Sequence, residues 1–148
     1  MYTFERFLTS APSGLYRLLT HGASMRMTKL CRLKDAELFC VNGEQVRTKR
    51  RFLVVMARAM GLPRWFGMNW DALADSLTDF AWEPGTTHVL LLSALDGFAQ
   101  HAPLDFGTAL GVLDDAASFW AERDVRFLVL IEAPCLPRVT PLPMVSAP

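Results

Sequence analysis

Apolar positions along the chain fall into runs of two kinds. HVLLL (88–92) and RFLVLIE (126–132) are apolar on both faces, as central strands of a covered parallel sheet are. AELFCV (36–41), ended by Asn42-Gly43, reads as a further buried strand followed by a turn. Between these runs the spacing becomes helical. Thr48 caps a predicted helix running to about Met60, stopped by Gly61 and Pro63, with Phe52, Val55, Met56 and Ala59 as its inner stripe. Residues 64–68 read as a loop, and Asn69 caps a second helix from 70 to about 80. Glu83-Pro84-Gly85 is a turn, and residues 93–104 read as irregular. A third helix, from about Asp105 to Arg123, follows from Phe106, Leu110, Leu113, Ala117 and Trp120, spaced 4, 3, 4 and 3.

The two ends are less regular. LYRLL (15–19) and MRMTKLCRL (25–33) read as strands, the second with imperfect alternation. The tail PCLPRVTPLPMVSAP is rich in proline and reads as extended or frayed. Strands separated by helices make the expected fold α/β, with a small, mainly parallel sheet joined by right-handed crossovers.

At 148 residues, 51% hydrophobic and 20% charged, the chain has the composition of one folded domain rather than of a disordered segment. Its apolar runs are too short to cross a bilayer, so no membrane role is expected. Residues 1–20 lack the basic start and apolar run of a secretory signal, and a cytoplasmic location is expected. Cys31, Cys40 and Cys135 read as reduced thiols acting as small core hydrophobes. His21, His88 and His101 lack ligand spacing, so neither a metal nor a cofactor is expected. No Gly-rich phosphate loop, GxSxG or supported Cys–His pair is present, and an enzyme is not expected.

Charge changes the picture. Residues 1–64 carry 12 basic against 4 acidic side chains, whereas residues 65–122 carry 9 acidic and no basic ones. Such segregation favours a molecular dipole able to steer a basic partner. Within the acidic segment, LPRWFGMNWDALADSLTDF (62–80) sets Asp71, Asp75 and Asp79 four residues apart. On a helix these fall at about 0°, 40° and 80°, one outward stripe. Trp70, Leu73, Leu77 and Phe80 gather on the opposite, inward side. The stripe repels itself, yet it adjoins Trp65 and Phe66, residue types that anchor interfaces. RTKRR (47–51) pulls the other way, toward nucleic acid, although a solvated helix end is the simpler explanation.

The order VNGEQV (41–46), helix, LPxWFGxNWDALxDSLTD (62–79), apolar strand, helix and last apolar strand resembles the barstar family, small intracellular inhibitors of secreted microbial ribonucleases. The resemblance covers about residues 36–132. It implies a three-stranded parallel sheet packed with helices as residues 36–132; an N-terminal extension (1–35), expected from its own pattern to add strand structure, and a proline-rich tail (133–148) lie outside the resemblance. It also implies an inhibitor that plugs a nuclease active site, one to one, with the acidic helix and its preceding loop. Carried over position by position, Asp75 takes the place of the substrate phosphate and Asp71 pairs with nearby basic groups. Trp65 stands for a contact tyrosine, Phe66 completes the aromatic pair, and Gly67 and Asn69 shape the loop. Two positions depart from the family. Ala74 stands where it has a contact tryptophan, and Ser118 or a neighbour stands where it offers a glutamate, with Asp114, Asp115 and Glu122 close by. The alternatives are an acidic interaction module with a basic partner that is not a nuclease and, third, a nucleic-acid-binding protein.

Overall fold

The computed structural model describes residues 2–18, 24–63, 66–132 and 144–146. In chain order the elements are β1 (Tyr2–Thr3), α1 (Phe4–Ser10), β2 (Gly14–Leu18), α2 (Ser24–Leu33), β3 (Glu37–Asn42) and α3 (Lys49–Met60). Then come α4 (Trp70–Leu77), β4 (Thr87–Ser93), α5 (Asp96–His101), α6 (Pro103–Ala121), β5 (Arg126–Glu132) and β6 (Met144–Ser146). The strands form one sheet in the order β1-β6-β2-β5-β4-β3, with every pairing parallel.

Strands β3, β4 and β5 are the expected three-stranded parallel sheet. The N-terminal region adds β1 and β2 to it, with Gly14 opposite Leu128 and Leu18 opposite Glu132. From the tail, β6 lies between β1 and β2. Residues 133–143, including Cys135, lie outside the described residues, so for the tail only 144–146 test the extended reading.

Alternation along β4 and β5 explains their continuous apolar character. Leu90 and Leu92 of β4, with Phe127, Val129 and Ile131 of β5, enter one core beneath α3, α4, α5 and α6. Val89, Leu91, Leu128 and Leu130 point the other way, into a second core closed by Phe4, Phe7 and Leu8 of α1 and Met27 and Cys31 of α2. Each such side chain, fully buried, contributes roughly 1.5–3 kcal/mol.

Three predicted elements differ. Residues 24–33 form the helix α2, not a strand. Their buried positions, Met27 and Cys31, are four apart with Leu30 packed beside them, a helical face that imperfect alternation hid. Residues 93–104 are not irregular throughout, because α5 occupies Asp96–His101 and Phe98 and Ala99 are buried there. The acidic helix stops at Leu77, and Thr78 closes it through a turn in which the Asp79 amide donates to the Ser76 carbonyl at 3.3 Å.

The two halves of the sheet are tied by Arg126. Its guanidinium donates to the carbonyls of Phe7 and Ala11 at 2.9 Å each, to that of Leu8, and to Thr87 Oγ1 at 3.1 Å. These carbonyls lie at the end of α1, where that of Phe7 also accepts from the Ala11 amide at 3.3 Å, and a cation there suits the helix dipole. Ser13 Oγ, donating to Val125 and accepting from Phe127 at 3.0 Å each, fixes the start of β2 against β5. Arg126→Met keeps the apolar stem but removes these side-chain hydrogen bonds. It should destabilise the protein by about 2–3 kcal/mol, read as a lower urea midpoint with an unchanged slope.

Candidate functional site

The acidic helix α4 is held at both ends. At its start Asn69 Oδ1 accepts from the Ala72 amide at 2.7 Å, while Asn69 Nδ2 donates to the Gly67 carbonyl at 3.1 Å. One side chain therefore caps the helix and sets the loop entering it. Trp70 packs on Phe52 of α3 with ring centroids 6.0 Å apart, and Leu73 and Leu77 are fully buried. At the far end the Trp120 indole of α6 donates to the Leu77 carbonyl at 2.9 Å, satisfying a buried helix terminus. Phe80 then stacks on Trp82 (4.6 Å) and Trp82 on His88 of β4 (4.0 Å), joining the end of the helix to the sheet.

This leaves Asp71 and Asp75 exposed on the outward face, as the spacing predicts, with Ala74 half-buried between them. Asp79 is exposed too, but beyond the helix, so the three-membered helical stripe is reduced to a pair. A groove of about 410 Å³ runs beside Asp75, lined by Pro63 and Phe66 and by Asp75, Ser76, Thr78 and Asp79. Gly67 borders the groove, where an added Cβ would come to 3.3 Å from the Ala72 Cβ. The loop is pinned by Met68, a non-glycine residue at φ 51°, an uncommon conformation held by packing of its side chain against the core. Phe66, Gly67 and Asp75 line the groove and Asn69 bonds to Gly67, while Asp71 and Ala74 stand elsewhere on α4 and Trp65 lies outside the described residues.

On the late helix Asp114, Asp115, Ser118 and Glu122 are all exposed. The charge segregation seen along the chain is not kept in space. Lys49 of α3 lies over the Trp70 ring, 5.5 Å from its centroid, and so brings positive charge to the start of the acidic helix. Sequence reading took Lys49 only as part of the basic run, and it missed Met68 in the loop and Thr78 and Asp79 as groove residues.

Among the described residues no three His, Cys, Asp or Glu side chains gather as a metal site requires, and no helix is long and apolar enough to cross a membrane. Cys31 is buried, and burial pushes its thiol up to about 11; Cys40 is exposed rather than a core residue, with its thiol also raised by burial. Neither is set up as a nucleophile.

Asn69→Ala removes the cap and should cost about 1 kcal/mol, whereas Asn69→Asp keeps the acceptor; thermal unfolding of the two variants separates them. His88 supplies a pH prediction. Burial lowers its pKa from 6.5, and the opposing bond from Nδ1 to half-exposed Glu37 (2.8 Å) is the weaker effect. The unfolded chain therefore takes up a proton at a higher pH than the native one does, and stability falls as pH drops below about 6.5. His88→Gln should flatten that fall, measured as midpoint temperature from about pH 7.5 down to about pH 5.5.

A family model described as Barstar (barnase inhibitor) matches residues 36–132. Comparison with curated proteins found no match. The matched span holds β3, β4 and β5 with the four helices α3 to α6, and hence the acidic helix, its loop and the groove beside them. On that match the chain belongs to the barstar family.

Proposed function

We propose that the chain is an inhibitor of a ribonuclease, acting as an immunity protein in the cytoplasm of a microbe against a basic, secreted nuclease bound one to one. The observation that carries the reading is the pair of exposed carboxylates, Asp71 and Asp75, on a helix fixed at both ends. A ribonuclease holds the phosphates of its substrate with Arg, Lys and His. Carboxylates presented at that spacing compete for the same groups through charge-assisted hydrogen bonds. Because Asn69, Trp70 and Trp120 already hold the helix, little ordering entropy is lost on docking. The inhibitor does no chemistry and needs no cofactor; it occupies the site.

In this reading Asp75 sits where the phosphate would be, and Asp71 pairs with basic groups at the edge of the cleft. Phe66 and Trp65 supply the apolar anchor, and Gly67 lets the loop approach closely. Ala74, where relatives carry a tryptophan, gives up a large anchor and leaves the groove wall formed by Phe66 as the apolar surface nearest the carboxylates. The target is then a ribonuclease whose cleft rim differs from that recognised by tryptophan-bearing members.

Asp75→Ala should abolish most inhibition while leaving the unfolding midpoint within about 0.5 kcal/mol of the parent, since the side chain is exposed. Truncation of a central hot-spot residue costs at least about 2 kcal/mol, roughly thirtyfold in affinity, a range established in part on barstar itself. The measurement is residual RNA cleavage by a small basic microbial ribonuclease titrated with each form. Undiminished inhibition by the variant would sink the mechanism. Tight binding to a basic protein without nuclease activity would favour the interaction-module alternative.

A further inference from the structure

The basic run at 47–51 is the strongest charged feature that the inhibitor reading leaves unused. Lys49, Arg50 and Arg51 form the first turn of α3, directly after its cap Thr48. Arg50 and Arg51 are exposed, and among the described residues none of the three has a carboxylate within 4.0 Å. Three positive charges there oppose the helix dipole. Lys49 lies 5.5 Å over the Trp70 ring, and that ring packs on Phe52, so the first turns of α3 and α4 share one surface. Asp71 is the residue after Trp70. The basic turn of α3 and the acidic helix therefore meet at Trp70, the residue before Asp71.

This border constrains any basic partner. A nuclease cleft positive enough to hold Asp71 and Asp75 is repelled by Lys49, Arg50 and Arg51 unless the surface beside the cleft is acidic. We propose that this patch docks an acidic rim on the same ribonuclease, so that the interface is bipolar, acid from α4 into the cleft and base from α3 onto the rim. The proposal rests on the inhibitor reading and narrows it to a class of partner. Nucleic acid fits the patch less well, because a phosphate chain seated on Lys49 would run beside Asp71. The like-charge penalty also gives selectivity: a basic nuclease without an acidic rim is turned away.

The test turns on a sign. The probe is a small, basic microbial ribonuclease, taken from a panel, that the unmodified chain inhibits; association with the Arg50→Glu, Arg51→Glu double variant is followed by stopped flow. If the patch meets an acidic rim, the variant associates more slowly, by about tenfold at low salt, and the gap closes as salt rises. If the patch meets solvent or basic surface, the more acidic variant associates as fast as the parent or faster, and the proposal is overturned. Glutamate at these positions suits the helix dipole, so the midpoint temperature should hold or rise, and slow association cannot then be put down to unfolding. Asp75→Ala, run beside it, separates the two claims. Its loss of inhibition with unslowed association of the double variant removes the rim alone. Retained inhibition by Asp75→Ala, or a panel in which nothing is inhibited, removes both. A short single-stranded RNA that binds the unmodified chain and is released by the double variant also overturns the proposal.

Discussion

Everything else in this fold depends on two strands that are apolar on both faces. β4 and β5 send alternate side chains into two separate cores, so a single layer of helices cannot cover them. Within the family-matched span, α3, α4, α5 and α6 close one side. The other side is closed by α1 and α2, from residues outside that span. Leaving Val89, Leu91, Leu128 and Leu130 bare would expose four large apolar side chains on contiguous strands, each worth roughly 1.5–3 kcal/mol when buried. Structurally, then, the N-terminal residues are a wall of the second core, and Arg126 fastens that wall to the sheet.

The same economy of contacts positions the site. Trp120 reaches from α6 to the last carbonyl of α4, and Asn69 works at the other end on both the helix and the loop. Between them the helix has little freedom to rotate, so its two outward carboxylates are presented in one orientation. Rigidity of this kind matters for a protein whose proposed task is to imitate a phosphate. A carboxylate that wandered would lose in ordering entropy what it gained in charge.

Charge is arranged at short range rather than by halves of the molecule. The basic turn of α3 and the acidic turn of α4 meet across Trp70, a contact between residues 49 and 70 that joins a positive stretch of chain to a negative one. A net charge of zero therefore says little about this surface.

Much of the fold was legible beforehand because its signals are local. The double-faced runs at 88–92 and 126–132, the caps Thr48 and Asn69 and the stop at Gly61 depend on neighbours within a turn or two and appear in the structure; the inner stripes of α3 and α6 appear in part, since Val55, Ala59 and Leu110 are only partly buried and Leu53 and Met60 complete the buried face of α3. The outward aspect of Asp71 and Asp75 follows from the same periodicity. What failed was also physical. Residues 24–33 carry only two fully buried positions, too few to separate a helix from a poor strand, and it is the second core that decides for the helix. The end of α4 depended on a carbonyl offered to Trp120, 43 positions away, which no local pattern encodes. By itself the sequence determined the strands, the caps and the outward acidic pair, since each is set by residues close in the chain. Tertiary structure alone decided what covers the second face of the sheet, where the acidic helix ends and which charge stands beside it, because each of those rests on contacts between residues far apart in sequence.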